Sequence, residues 1–227
     1  TSGDTFVVPS EFAVPYPENL SVAQACSIWV QYLTAYFPIV ELSELAADDW
    51  VLVTAGASTS GTAALEICRL LNIKTIATSR DYMLSKGATK AIVPGADFAE
   101  KILEITGGKG VKSVYDPVGD PLLGQYANAL AKNAQIFLYG KLDPSPDLVP
   151  IIPMIRSAAI LRPYSIYNHI YDPAQRDRGV RFVFDALKQG RLVPEVDKVF
   201  ALADFKEAYD YQVKAERRRG KIVISLT

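Results

Sequence analysis

The residues of this sequence best suited to chemistry form a short loop of small side chains. The loop reads GASTSG from Gly56 to Gly61, follows the β-rich run Trp50 to Ala55, and leads into a helical stretch that begins at Thr62. A strand, a tight loop and a helix N-terminus in this order present backbone N–H groups and the positive end of a helix dipole to a phosphate. The pattern therefore indicates a site for the phosphates of a nucleotide.

The glycine spacing resembles the dinucleotide fingerprint. In that motif the first glycine makes the turn, the second lets the backbone approach the pyrophosphate, and the third permits close helix packing. Gly56 and Gly61 take the first and third places, while Ser58 takes the second. A nucleoside-triphosphate loop would have a lysine after the last glycine, where Thr62 and Ala63 stand, so that alternative is disfavoured. A purely structural turn stays open as another alternative.

A different alternative rests on Tyr82 and Lys86, whose spacing is that of the Tyr-x-x-x-Lys pair of short-chain reductases. The chain contains 12 tyrosines, so such a pair arises easily by chance. In that family the pair also lies much further along the chain. We therefore interpret this segment as solvated surface.

The end of the second predicted strand bears on which nucleotide binds. NAD-binding proteins place an Asp or Glu there, about 20 residues beyond the glycines, to hold the ribose hydroxyls. Here the strand ends Thr78, Ser79, Arg80, and Asp81 follows. A hydroxyl and a guanidinium suit a 2′-phosphate, because arginine supplies a fork of donors and a permanent charge. The sequence favours NADPH, with ribose binding by Asp81 as the alternative.

The elements around this loop alternate between β-rich runs and stretches with helical spacing, which is typical of a parallel sheet covered by helices. The predicted strands are Trp50 to Ala55, Lys74 to Thr78, Ala91 to Val93, Lys112 to Asp116, Ala134 to Gly140 and Ile160 to Tyr167. The predicted helices are Thr62 to Leu71, Asp97 to Ile105, Leu122 to Ala131 and Val149 to Ala158. The fold class is therefore α/β, with a doubly wound parallel six-stranded Rossmann sheet.

Beyond Asn168 the order of predicted strands and helices departs from this alternation, and the C-terminal tail is predicted to belong to another structural unit. Its predicted elements are a helix at Ala174 to Gln189, a strand at Val196 to Leu202, a helix at Asp204 to Lys214 and a strand at Gly220 to Leu226.

Composition excludes several classes of protein. The 24 basic and 25 acidic residues give a net charge of -1, too balanced for a general nucleic-acid-binding surface. No stretch has the roughly 18 apolar residues that a spanning helix needs, so we expect no membrane association. Cys26, Cys68 and His169 are the only cysteines and histidine, and they cannot alone furnish a zinc site. We therefore predict no metal among these residues.

Several runs, taken in order, resemble the medium-chain dehydrogenase/reductases. They are VLVTAGASTSGTAALEICRLLNIKTIATSR, KGATKAIV, VYDPVGDPLL, AQIFLYGKL and GKIVISL. The preceding VPSEFAVPYPENLSVAQAC and WVQYLTAYFPIVEL resemble the passage from the catalytic into the cofactor domain. The similarity is greatest to the zinc-free quinone-oxidoreductase and enoyl-reductase branch, including fungal enoyl reductases with a Ser/Thr-rich loop.

This resemblance implies a set of cofactor-binding residues. Thr34 matches the threonine beside the nicotinamide ring, Ser79 and Arg80 match the adenosine-phosphate pocket, and backbone near Tyr139 approaches the cofactor. The remaining implied contacts are Gly56, Ser58, Thr59, Ser60, Gly61, Thr62, Asp116, Val118 and Gly140. Ordinary packing is the alternative for Thr34 and Tyr139, and a helix cap or turn is the alternative for Asp116.

The resemblance further implies NADPH-dependent hydride transfer, without a metal, to a small-molecule enone, quinone or enoyl thioester. No catalytic residue is assigned, although Tyr164 and Tyr167 are candidates to face the substrate. A cytoplasmic homodimer paired through the strand Ile160 to Tyr167 is expected. A nucleotide-binding or interaction module without turnover, or an excised cofactor domain, is the alternative function.

The chain also departs from the family pattern. Residues 34–167 are predicted to form the Rossmann domain, with residues 1–33 and 168–227 as remnants of a GroES-like catalytic domain whose larger part would precede Thr1. The segment between Arg80 and Lys86 is shorter than usual and lacks a lysine that contacts the extra phosphate. Thr59 replaces a glycine common in the branch, so the loop is expected to sit slightly differently on the pyrophosphate.

Overall fold

One parallel sheet forms the centre of the molecule. The computed structural model describes residues 5, 7–78, 84, 86–146, 148–214 and 219–226. The strands of the sheet are β1 Trp50–Val53, β2 Lys74–Thr78, β3 Lys90–Ile92, β4 Val111–Asp116, β5 Leu130–Leu138 and β6 Ile160–Pro163. They pair in the order β3-β2-β1-β4-β5-β6, and every pairing is parallel. The order reverses between β1 and β4, which confirms the doubly wound prediction and defines a switch point there.

Helices lie on both faces of this sheet and beside a smaller C-terminal sheet. They are α1 Val22–Ala25, α2 Trp29–Tyr36, α3 Thr59–Leu70, α4 Phe98–Ile105, α5 Leu122–Tyr126, α6 Ile151–Ser157, α7 Tyr167–Ile170, α8 Pro173–Lys188 and α9 Phe205–Lys214. A π-helical turn, Phe37–Leu42, extends α2, and 3-10 turns lie at Ser10–Phe12, Ala127–Ala129 and Leu202–Asp204.

Two apolar layers hold the helices to the sheet. On one face α2, α3 and α8 pack against side chains that include Val53 and Tyr115. On the other face α4, α5 and α6 pack against side chains that include Leu52 and Val114. Successive residues of β1 and β4 thus enter opposite layers, because a parallel sheet with helices on both sides is buried on both faces.

The C-terminal segment contains a second, smaller sheet. Its strands are β7 Val196–Ala201 and β8 Lys221–Ser225, and they pair in parallel. The division of the chain at residues 34 and 167 stays a prediction. None of the helices in the described ranges is both long enough and apolar enough to cross a membrane.

The predicted helix from Leu122 to Ala131 is wrong in its second half. The helix ends at Tyr126, and β5 begins at Leu130, four residues before the predicted Ala134. A Cβ at Gly110 would lie 2.5 Å from the Ala129 carbonyl oxygen, so only a glycine lets the start of β4 come this close to the start of β5. This close approach explains why β5 pairs with β4 earlier in the chain than predicted. The alternation of polar and apolar residues along the sequence does not show such a contact.

The predicted strand from Ile160 to Tyr167 is also too long. Pairing with β5 ends at Pro163, and the chain turns where the Asn168 N–H donates to the Ser165 carbonyl oxygen at 3.1 Å. Tyr167 therefore begins α7 instead of ending a strand. The remaining predicted bounds differ from the structure by three residues or fewer.

Candidate functional site

The predicted phosphate loop joins β1 to α3 and is fixed by hydrogen bonds at both ends. Ala55 has a left-handed backbone with φ of 49°, and its N–H donates to Thr78 Oγ1 at 2.9 Å. The Ser58 N–H donates to the Ala55 carbonyl oxygen at 2.9 Å and closes the turn. The turn was predicted to be made by Gly56. The residue with the left-handed backbone is Ala55, because the chain reverses direction directly where β1 ends.

Gly61 lies where the loop touches the helix. A Cβ at this position would lie 2.5 Å from the Ala55 carbonyl oxygen and 2.9 Å from the Gly56 Cα. Both are backbone atoms, so neither can swing aside, and a larger residue would push α3 away from the loop. This is the role that the fingerprint assigns to its third glycine.

The first turn of α3 offers two backbone donors. The helix begins at Thr59, three residues before the predicted start, because Ser58 caps it by accepting a hydrogen bond from the Gly61 N–H at 3.0 Å. The N–H groups of Thr59 and Ser60 have no acceptor within the described ranges. Free amides at the positive end of a helix of 12 residues suit an anion such as a phosphate.

Thr62 lies next to this turn, but its side chain faces its own helix. Its Oγ1 donates towards the carbonyl oxygens of Ser58 at 3.1 Å and Thr59 at 3.0 Å. The structure thus brings Thr62 to the predicted loop and engages its hydroxyl in the helix backbone.

Asp116 lies at the end of β4, beside the loop, and is completely buried. Its Oδ1 accepts from Thr54 Oγ1 at 2.6 Å and from the backbone N–H groups of Val118 at 2.7 Å and Gly119 at 3.3 Å. Its Oδ2 accepts from the Tyr126 hydroxyl at 2.7 Å. This arrangement corresponds to the turn-forming alternative for Asp116, since the carboxylate ties β1, β4 and α5 together. Val118 is held near the site by its backbone.

Tyr139 and Gly140 follow β5 at the same edge of the sheet. The Tyr139 ring stacks on Tyr115, with centroids 4.1 Å apart and 23° between the planes. Burial raises the pKa of both phenols, so both stay protonated near neutral pH. A Cβ at Gly140 would lie 3.1 Å from the Pro117 carbonyl oxygen, so a glycine allows this close approach of two strand ends.

Thr34 lies on α2, which borders the loop through α3. The residue is buried, and its Oγ1 donates to the Val30 carbonyl oxygen at 2.5 Å. The Tyr32 hydroxyl donates to Glu66 Oε2 at 2.6 Å and so joins α2 to α3. Burial raises the pKa of the Glu66 carboxyl, and the hydrogen bond from Tyr32 opposes this shift. This pair could not be predicted from the sequence, because a polar residue in a helical stretch is usually a surface residue.

Four residues of the predicted nucleotide-specificity segment, Ser79, Arg80, Asp81 and Tyr82, lie outside the described residues. The end of β2 that precedes them is placed by the bond between Thr78 and Ala55. This bond brings the strand end that carries the predicted 2′-phosphate residues next to the predicted phosphate loop.

The described ranges contain no group of three or more His, Cys, Asp and Glu side chains that is suited to hold a metal ion. Cys68 is buried, Cys26 is exposed, and both are free thiols. His169 is hydrogen-bonded to Gln175 through Nδ1 at 2.7 Å and stacks on Phe37 with centroids 4.8 Å apart.

Comparison with known proteins shows the family and the fold of this chain. A family model described as zinc-binding dehydrogenase matches residues 86–224, which is more than half of the chain. A 2-haloacrylate reductase from a Burkholderia species is 25% identical over 226 residues, covering 95% of this chain and 68% of that protein. Prostaglandin reductase-3 of Mus musculus is 27% identical over 242 residues, covering 97% of this chain and 63% of that protein.

A solved mycobacterial protein in complex with NADPH has the same fold, with a TM-score of 0.85 and 23% identity. The match covers 96% of this chain and 70% of that one. The chain thus spans about two thirds of the length of these three proteins.

The switch-point sheet, the capped helix and the close-packed loop define a Rossmann-type dinucleotide-binding protein. Given the family match, this chain belongs to the zinc-binding dehydrogenase family, within the medium-chain dehydrogenase/reductases that the sequence resembles.

Proposed function

We propose that this chain binds NADPH across the switch point and serves hydride transfer to an electron-poor acceptor. The observation that carries the proposal is the loop between β1 and α3, where Gly61 leaves no room for a Cβ. There the amides of Thr59 and Ser60 have no acceptor in the described part of the chain. A pyrophosphate fits this donor set, because it carries negative charge and accepts hydrogen bonds from backbone amides.

The residues proposed to hold the dinucleotide divide between the two halves of the sheet. Ser79 and Arg80, after β2, would hold the 2′-phosphate of the adenosine half. The loop from Gly56 to Gly61, with Ser58, Thr59 and Ser60, would hold the pyrophosphate. Thr34, Val118, Tyr139 and Gly140 would border the nicotinamide half, and Asp116 and Thr62 would shape the backbone around it. A solved mycobacterial protein of the same fold is in complex with NADPH, which supports NADPH as the dinucleotide.

Bound NADPH would supply a hydride, and the protein would supply position and electrostatics. The acceptor that we propose is an enone, a quinone or an enoyl thioester, whose carbonyl draws charge onto oxygen when its β-carbon receives the hydride. The protein must then offer a hydrogen-bond donor to that oxygen. The proposed reaction uses no metal ion from this chain, and the names of the two reductases among its relatives support an acceptor of this class.

A homodimer in the cytoplasm is part of the same proposal. β6 is the last strand on its side of the sheet, and Ile160 at its start is 50% exposed. On the adjacent α6, the side chains of Ile151, Ile152 and Ile155 are also exposed. An apolar sheet edge of this kind favours pairing with the same edge of a second copy.

The experiment that tests the reaction follows NADPH absorbance in the presence of enones, quinones and enoyl thioesters. Oxidation that depends on both the chain and the acceptor supports the proposal. Saturable binding of NADPH without oxidation by any acceptor would favour the second candidate, a nucleotide-binding module without turnover.

A further inference from the structure

A small cavity lies beside the first turn of α3, between this helix, α2 and the segment that leads into the C-terminal sheet. It is lined by side chains that include Tyr32, Thr59, Thr62, Glu66, Lys86 and Glu195. Thr59 begins the turn in which the amides of Thr59 and Ser60 have no acceptor in the part of the chain that the structure describes. The cavity therefore joins the proposed phosphate-binding turn to the carboxyl group of Glu66, which the proposed reaction does not use.

Glu66 lies on the same face of α3 as the turn that offers these amides. Positions 62 and 66 follow position 59 by three and seven residues, a spacing that returns to one side of a helix. Seven residues correspond to about 10 Å along the helix axis. Glu66 is only 7% exposed, so solvent screens its charge weakly. A negative charge at the turn and a negative charge on Glu66 would therefore repel each other.

Burial has the largest effect on the ionisation of Glu66. It raises the pKa of this carboxyl, because a carboxylate that leaves water loses its hydration. Four neighbours oppose this rise by favouring the carboxylate, namely Tyr32, Arg69, Lys86 and the backbone of Val193. An anion at the first turn of α3 would act in the same direction as burial, because it disfavours the ionised form.

Lys86 faces the cavity from outside α3, and its charge is shared. It forms a salt bridge with Glu195 and also favours the ionised form of Glu66. Burial lowers the pKa of the Lys86 ammonium, Glu66 opposes this change, and Arg219 and Arg69 add to it. Because one ammonium serves two carboxylates, Glu66 stays sensitive to a further negative charge.

We propose that binding of a nucleotide phosphate at the first turn of α3 is coupled to the uptake of a proton from solvent by the Glu66 carboxylate. This inference rests on the proposed function and adds a proton-linked control of affinity to the same site. A phosphate that favours protonation of Glu66 must, by linkage, bind more tightly by the same factor when Glu66 is protonated. At about 10 Å and an effective dielectric constant of about 20, one phosphate charge changes this equilibrium about tenfold.

The first measurement is the Kd of NADPH at low ionic strength from about pH 5 to about pH 9, for the unsubstituted chain and for Glu66→Gln. The variant keeps an acceptor oxygen for the Tyr32 hydroxyl but cannot ionise. The Kd of the unsubstituted chain divided by that of the variant should be near one at acid pH and should rise about tenfold as Glu66 ionises. The 2′-phosphate titrates near pH 6 with both chains, so its contribution cancels in this ratio.

Two further variants separate this effect from a change of fold. Glu41→Gln removes a carboxylate that accepts from Arg178 at 2.9 Å and does not line the cavity, so it should keep the pH dependence of the unsubstituted chain. Tyr32→Phe removes a hydroxyl that favours the carboxylate of Glu66. The pKa of Glu66 should then rise further, and the loss of affinity should begin at a higher pH.

Calorimetry measures the proton uptake directly in the unsubstituted chain. The enthalpy of NADH binding in buffers of different ionisation enthalpy gives the number of protons taken up, and NADH has no 2′-phosphate to titrate. We expect an uptake of about half a proton per nucleotide near the midpoint of the pH dependence, as a tenfold coupling implies, and none in Glu66→Gln.

Absence of proton uptake by the unsubstituted chain, or the same uptake in Glu66→Gln, would overturn the inference and leave the proposed function standing. A Kd for Glu66→Gln that is higher by the same factor at every pH would also overturn it, because Glu66 would then act only in holding the fold. Failure of the unsubstituted chain to bind NADPH or NADH would remove the proposed function and this inference together.

Discussion

Tyr32 and Glu66 connect the two helices that border the candidate site. The Tyr32 hydroxyl donates to Glu66 Oε2 at 2.6 Å, and both side chains are buried between α2 and α3. α2 carries Thr34, and α3 begins at the phosphate loop, so this bond and the apolar packing of the two helices hold a predicted nicotinamide contact in position relative to the predicted pyrophosphate cradle.

The Glu66 carboxyl should make stability depend on pH. Its pKa is raised in the folded protein, mainly by burial, so the unfolded chain releases this proton at a lower pH than the folded chain does. Glu66 therefore makes its full contribution to the free energy of unfolding below the ordinary glutamate pKa of about 4.3. This contribution is lost as pH rises through the pKa of Glu66 in the folded protein. We expect Glu66→Gln to lose this dependence, so that its stability relative to the unsubstituted chain improves with rising pH.

Glu41 provides a control of opposite sign. Its pKa is lowered, chiefly by the bidentate hydrogen bonds from Arg178 at 2.9 Å, so its contribution is present above the ordinary pKa and is lost as pH falls. Urea unfolding should therefore give a slope for Glu66→Gln above about pH 4.3 and a slope of opposite sign for Glu41→Gln below about pH 4.3, each measured against the unsubstituted chain. Parallel slopes would contradict the assignment.

Removal of the Asp116 side chain should lower the free energy of unfolding more than most single substitutions do. It accepts four hydrogen bonds, and Asp116→Ala would leave the Tyr126 hydroxyl buried without its acceptor and Thr54 Oγ1 with only the Tyr115 carbonyl oxygen at 3.4 Å. We expect a loss of about 3–5 kcal/mol in the free energy of unfolding, measured with urea. Asp116→Asn keeps one acceptor oxygen and should lose less. A loss below about 1 kcal/mol for alanine would contradict the structural role.

Gly61→Ala should abolish nucleotide binding by displacing the loop from α3. The added Cβ would lie 2.5 Å from the Ala55 carbonyl oxygen, a separation that the backbone must relieve by moving. Gly124→Ala is a suitable control, because the added Cβ meets only the Asp120 carboxylate at 3.4 Å. We expect the control to bind NADPH normally by titration. Equal affinities for the two variants would show that the loop does not hold the nucleotide.

Arg80 is predicted to select NADPH over NADH. Its guanidinium would pair with the 2′-phosphate, which NADH lacks, so Arg80→Ala should raise the Kd for NADPH far more than that for NADH. Asp81→Asn serves as the comparison and should weaken NADH more if Asp81 holds the ribose hydroxyls. Equal losses for both nucleotides in Arg80→Ala would refute the assignment.

Much of this architecture could be predicted from the sequence, because alternating β-rich and helical runs determine a doubly wound sheet. The loop after β1 was found from its glycines, although the left-handed turn falls on Ala55 and the helix starts at Thr59. The early start of β5 could not be predicted, because it depends on a close approach at Gly110. The stacking of Tyr115 on Tyr139 also depends on strand register, which the spacing of aromatic residues along the chain does not contain.

The central claim is tested most directly by an equilibrium titration of the 227-residue chain with NADPH, followed by the fluorescence of the nucleotide. We predict saturable binding with one NADPH per chain, weaker binding of NADH, and loss of binding in Gly61→Ala. Absence of binding to either nucleotide by the folded, unsubstituted chain would contradict the account.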